Sequence, residues 1–78
     1  PSFLNTKLIL NKKNNLFELY KRLEKIDLIE NIYVKELNNE YVFLKIKYLG
    51  KLEKLIQKLN EQMVNLKFSR NEWNIKIK

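Results

Sequence analysis

The sequence predicts an α+β domain of ferredoxin-like type, β-α-β-β-α-β, with a four-stranded antiparallel sheet and both helices on one face. Three observations carry this prediction. Apolar and polar residues alternate around residues 4–11 and 40–50, apolar residues recur at helical spacing around 16–26 and 52–63, and Asn-rich or Gly-containing breaks separate these stretches. Two right-handed β-α-β crossovers interleaved in this order give the split motif, with strands one and three as the central pair. Residues 1–78 are expected to form one such domain, with room for an extra short strand near 65–68.

The first strand sets Leu4, Thr6, Leu8 and Leu10 against Asn5, Lys7, Ile9 and Asn11. "NKKNN" (11–15) ends it as a solvated loop. Asn15 followed by Glu18 reads as a variant capping box: the Asn side chain accepts from the Glu18 amide, and the Glu18 carboxylate reaches back. Leu16, Leu19, Tyr20, Leu23 and Ile26 then mark one helical face, with Glu18 and Arg22 paired four apart on the wet side.

Ile32 and Val34 are the expected core pair of the second strand, and Asn38-Asn39 the turn of a hairpin. In "EYVFLKIKYLG" (40–50), Val42, Leu44, Ile46 and Tyr48 form a core face, and Tyr41, Phe43, Lys45 and Lys47 an open one. Gly50 suits the change from strand to helix. The second helix buries Leu52, Leu55, Ile56, Leu59 and Met63, and Lys51, Lys54 and Lys58 form a solvated stripe. In the tail, Leu66 and Phe68 alternate, "SRNE" reads as a turn, and Trp73, Ile75 and Ile77 alternate again. That is a hairpin, or a short lead-in before the last strand. Trp73 is expected to close the end of the sheet.

Composition excludes much chemistry. With no His and no Cys, the commonest general base and the best nucleophile are both missing, as are the usual zinc ligands. Ser2, Thr6 and Ser69 are the only hydroxyls besides the tyrosines, and none stands in a nucleophile motif. A single Gly rules out a phosphate-cradling loop. Asp27, Glu30 and Glu40 lack the spacing of a calcium loop. The domain is therefore expected to be no enzyme and to carry no cofactor or metal.

The net charge is +7, but 14 of the 16 basic residues are Lys, and Lys, Asn and Ile fill 33 of 78 positions. That bias fits an A+T-rich coding sequence as well as it fits an anionic partner. No apolar run reaches the ~18–20 residues of a membrane-spanning helix. The chain opens "PSFLNTK" without Met, and it is expected to be part of a longer protein.

The open face decides between two functional expectations. Laid on residues 39–46, the RNA-recognition pattern K/R-G-F/Y-G/A-F-V-x-F/Y is met by Tyr41, Phe43 and Leu44 and missed at Asn39, Glu40, Val42 and Ile46. Strand one offers Ile9 and Lys7 where a stacking aromatic belongs, while Tyr33, Lys35 and Lys76 extend the same face. Single-stranded RNA binding, with Tyr41 and Phe43 stacking on bases, is thus the alternative. The first expectation is a non-catalytic interaction or structural module. Its contact surface comprises Ile9, Tyr33, Lys35, Tyr41, Phe43 and Lys45, covered by another domain or protein, a second copy included.

A longer pattern runs through the middle of the chain. Leu16 and Tyr20 open a short helix, and Leu23, Ile26, Ile29, Ile32 and Val34 step into a strand. A hairpin follows, and Gly50 precedes Leu52, Leu55 and Leu59. Over roughly residues 15–60 the chain resembles the C-terminal domain of an uncharacterised bacterial family, a domain of unknown function. The resemblance implies the same ferredoxin-like fold, no established catalytic residues, and a parent protein associated with the periplasmic side of the cell envelope.

Overall fold

A computed structural model describes every residue from Pro1 to Lys78. Seven elements follow one another: β1 (Ser2–Ile9), α1 (Leu16–Leu23), β2 (Ile29–Leu37), β3 (Tyr41–Tyr48), α2 (Leu52–Glu61), β4 (Val64–Ser69) and β5 (Glu72–Ile77). The strands form one five-stranded sheet in the order β2-β3-β1-β5-β4. The α+β class, the two helices and the central β1–β3 pair agree with the sequence. The expected four-stranded antiparallel sheet does not: there are five strands, and β5 runs parallel to β1.

The cause lies in "SRNE". Arg70 and Asn71 both take positive φ, 54° and 63°, the backbone of a two-residue type I′ hairpin turn. β4 leaves α2 antiparallel to β1, as a fourth strand should, and the tight turn sends the chain straight back. The returning strand β5 fills the place beside β1, so β4 becomes the edge. The β1–β5 seam is short, with Thr6 opposite Trp73 and Lys7 opposite Asn74. The buried Thr6 hydroxyl reinforces it by donating to the Trp73 carbonyl at 3.2 Å.

Fifteen buried apolar residues make the core. Leu4 and Leu8 of β1, Val42, Leu44, Ile46 and Tyr48 of β3, and Ile75 and Ile77 of β5 form its floor; Leu19, Leu23, Leu55 and Leu59 of the helices cover it. The alternation read from β1 and β3 is therefore the alternation of burial. β2 departs from it. Register breaks between Ile29 and Asn31 and between Val34 and Glu36, and Val34 is 42% exposed. The expected core pair reduces to a half-buried Ile32 at the border of the core, because β2 is an edge strand whose register is broken twice.

The helix ends refine the expectations. Asn15 accepts from the Glu18 amide at 2.9 Å, but the Glu18 carboxylate pairs with Lys21, so only half of the capping box forms. Arg22 ignores Glu18 and donates to the Gln62 carbonyl at 3.0 Å, tying α1 to the end of α2. α2 stops at Glu61, and Met63 lies beyond it with φ 61° and 54% exposure rather than on the buried face. Gly50 takes φ 85°, a left-handed conformation that suits a residue without Cβ.

Candidate interaction surface

Both helices cover one face of the sheet, and the other face is bare. Strand alternation populates it. β1 contributes Phe3, Asn5, Lys7 and Ile9; their partners on β3 are Lys47, Lys45, Phe43 and Tyr41 in that order. β2 adds Asn31 opposite Lys47, Tyr33 opposite Lys45, and Glu36 opposite Phe43. β5 extends the face through Asn74 and Lys76, and β4 through Asn65 and Lys67.

Rings and ammonium groups interleave here. Tyr41 and Phe43 meet edge to face, centroids 5.2 Å apart and planes at 71°. The Lys7 ammonium lies across both, 4.9 Å from the Tyr41 centroid and 5.6 Å from that of Phe43. Lys45 lies 4.5 Å over Phe3. Each such contact at an exposed site contributes about 0.5–1 kcal/mol. The Tyr41 hydroxyl donates to the Glu36 carboxylate at 2.8 Å, and this bond raises the tyrosine's pKa above its ordinary value. The Asn31 side-chain amide donates to the Tyr33 hydroxyl at 3.2 Å.

Five of the six residues predicted for contact come together: Ile9, Tyr33, Tyr41, Phe43 and Lys45 lie on neighbouring strands of one face. Lys35 does not join them in register. It falls in the second break of β2, with no residue opposite it on β3. Phe3 was not among the predicted residues, yet it is half exposed on this face, where strand one was expected to offer no aromatic. Its signal was present in the sequence: Phe3 has the parity of Asn5 and Lys7, one step before the alternation begins at Leu4.

Beside Phe3 the sheet is notched. β5 begins at Glu72, level with the middle of β1, so β1 before Thr6 has no neighbour on that side. The resulting cleft holds about 390 Å³ and is lined by Phe3, Asn5, Phe43, Asn71, Glu72 and Trp73 among others. Trp73 does stand at this end of the sheet, its ring edge-on to Phe68 at 5.1 Å.

In charge the face is basic: Lys7, Lys45, Lys47, Lys67 and Lys76 stand against Glu36, Glu72 and Glu30, which pairs with Lys47 at 3.9 Å. No group of three or more His, Cys, Asp or Glu side chains is arranged to hold a metal ion. No helix is long and apolar enough to cross a membrane. No family model, no curated protein and no solved structure matches this chain.

Proposed function

We propose that this domain is a non-catalytic interaction module whose bare sheet face packs on another domain or protein carrying apolar side chains and acidic groups. The observation that supports it is the cluster of exposed Phe3 and Ile9 with half-buried Tyr41 and Phe43, overlaid by the lysines Lys7 and Lys45. Apolar surface of this kind is stabilised when covered, and acidic groups on the partner would meet the lysines that lie over the rings. The order of the first six elements, and the antiparallel course of β4 relative to β1, support a ferredoxin-like fold extended by a hairpin.

Single-stranded RNA is the second reading, favoured by Phe3, which supplies the aromatic on strand one that such a platform uses. Three features favour protein instead. The Tyr41 and Phe43 rings are edge to face rather than coplanar, Lys7 already lies over both, and the Glu36 carboxylate sits beside them, where a phosphate would be repelled.

An NMR titration of the labelled domain separates the two. The probes are a peptide alternating Phe and Asp and a random single-stranded RNA octamer. Peptide-induced shifts at Phe3, Lys7, Tyr41 and Phe43, with no response to RNA near physiological salt, support the protein reading. Shifts on RNA at the same residues, fading steeply as salt rises, overturn it.

A further inference from the structure

The sheet has two edges, and they are built differently. Along β2 the register breaks twice, and the strand carries Glu30, Lys35 and Glu36, the bulges and charges that discourage another strand from adding. β4 has no bulge, and its one charge, Lys67, lies on the open face. Its six residues run in unbroken register with β5, without proline, and its helix-side residues Val64, Leu66 and Phe68 are all apolar. Phe68 is 53% exposed although it shares that face with buried Val64 and Leu66.

The backbone of β4 is directed in a definite way. The Lys78 amide donates to the Met63 carbonyl at 2.9 Å, and Ser69 and Glu72 face each other across the hairpin turn. Hydrogen-bonding groups alternate sides along a strand, so Met63, Asn65, Lys67 and Ser69 turn theirs towards β5. Val64, Leu66 and Phe68 therefore offer their N–H and C=O groups to whatever lies outside.

From this we propose that two copies of the chain join edge to edge, β4 against β4, in an antiparallel pair whose two-fold axis passes at Leu66. In this register Leu66 faces its own counterpart, Val64 faces Phe68 of the second copy, and Asn65 faces Lys67 of the second copy. The three outward-facing pairs exchange two hydrogen bonds each, about six in all. Apolar meets apolar on the helix side, and the exposed Phe68 is covered. An axis at Lys67 sets two lysines directly opposite, which is unfavourable, and an axis at Asn65 leaves Phe68 without a partner. The strand is complementary to itself in one register, which is why the occupant is a second copy. The contact is smaller than the ~1,200 Å² at which stable complexes begin, so the dimer forms at high protein concentration.

Sedimentation of the native chain up to about 1 mM, the concentration at which even a weak contact of about 4 kcal/mol is half formed, gives the first readout. A monomer–dimer equilibrium is expected, and a monomer throughout overturns the proposal. The chain contains no cysteine, so introduced thiols report alone. Chains carrying Asn65→Cys, mixed with chains carrying Lys67→Cys under mild oxidation, are expected to trap the mixed disulfide well above the half that random collision gives. A statistical mixture, or an excess of either homodimer, overturns the register. Phe68→Lys weakens association about tenfold, because the two-fold axis repeats the Val64–Phe68 pair. Phe43→Ala, on the open face, leaves the dimer unchanged, so edge pairing and face binding are measured separately.

Discussion

The side-chain carbonyl of Asn14 accepts a hydrogen bond from the backbone amide of Ile77, joining the loop before α1 to the last strand across 63 residues of sequence. β5 outruns β1 at this end, since the register between them covers only Thr6 and Lys7 and β1 stops at Ile9. The Ile77 amide lies beyond that seam, and Asn14 supplies the acceptor that a longer strand would have provided. Asn14 is itself fixed in place, because its own amide donates to the Asn11 side chain at 2.8 Å and it is only 7% exposed.

Asn14→Ala should therefore cost about 1–3 kcal/mol, the penalty for leaving a buried amide without a partner. Each kcal/mol lowers the melting temperature of a domain this size by about 4–8 °C. Asn14→Asp keeps the acceptor and is expected to retain most of the stability. Thermal unfolding followed by circular dichroism checks both. Equal losses for the two variants would mean that the amide side of Asn14, and not its carbonyl, is what matters.

Met63 gives a prediction of the opposite sign. It occupies a left-handed conformation just after α2, a position where glycine is favoured, and its side chain is mostly in water. For a residue with a Cβ that conformation costs about 1–2 kcal/mol. Glycine regains this but adds about 0.5–1 kcal/mol of chain entropy to the unfolded state. Met63→Gly should be net stabilising, by up to about 1 kcal/mol, in chemical denaturation with an unchanged slope.

The strands at the centre of the sheet were legible because burial forces strict alternation on them: Leu4, Thr6 and Leu8, and Val42 through Tyr48, are all buried as their parity requires. The same rule failed at β2, where an edge strand with two register breaks has no single parity to display. The direction of the last strand was not written in its apolar pattern, since Trp73, Ile75 and Ile77 alternate alike whichever way they run. It follows from the positive φ of Arg70 and Asn71, which fixes a two-residue turn and so a reversal. Loop asparagines were unevenly legible. The Asn15 cap on α1 was readable, but nothing in "NKKNN" marked Asn11 as organising the turn or Asn14 as buried against β5. Of the candidate surface, the residues on strand three were readable, whereas Phe3 is missed by an alternation that begins at Leu4, although β1 runs from Ser2.

The bond from Tyr41 to Glu36 makes the open face sensitive to alkaline pH. Its principal cause, donation to the Glu36 carboxylate, favours the protonated phenol and raises the pKa from 10.0. A group raised on folding contributes stability below its unfolded value and loses it as pH rises through the folded one. The contribution is thus constant across neutral pH and disappears only above about pH 10. In a spectrophotometric titration Tyr41 should ionise later than it does in Glu36→Gln, which removes the carboxylate charge. Coincident titration curves would show that the bond is not maintained in solution.

Neighbouring residues 3 and 4 test the division of the sheet into a structural face and a free one. Leu4 is 4% exposed and packs in the core, while Phe3, one residue earlier, is half exposed beneath the Lys45 ammonium. Leu4→Ala should cost about 2–5 kcal/mol through lost burial and the cavity it leaves. Phe3→Ala forfeits only partial burial and one exposed cation–π contact, about 1 kcal/mol or less. Its larger effect is expected in binding: the shifts induced by the Phe/Asp peptide should weaken while the fold persists. Denaturation curves and the peptide titration, run on the same two variants, check this. Were Phe3→Ala to destabilise the domain as much as Leu4→Ala, the ring would be holding the sheet together, and the face would lose its claim to be a free binding surface.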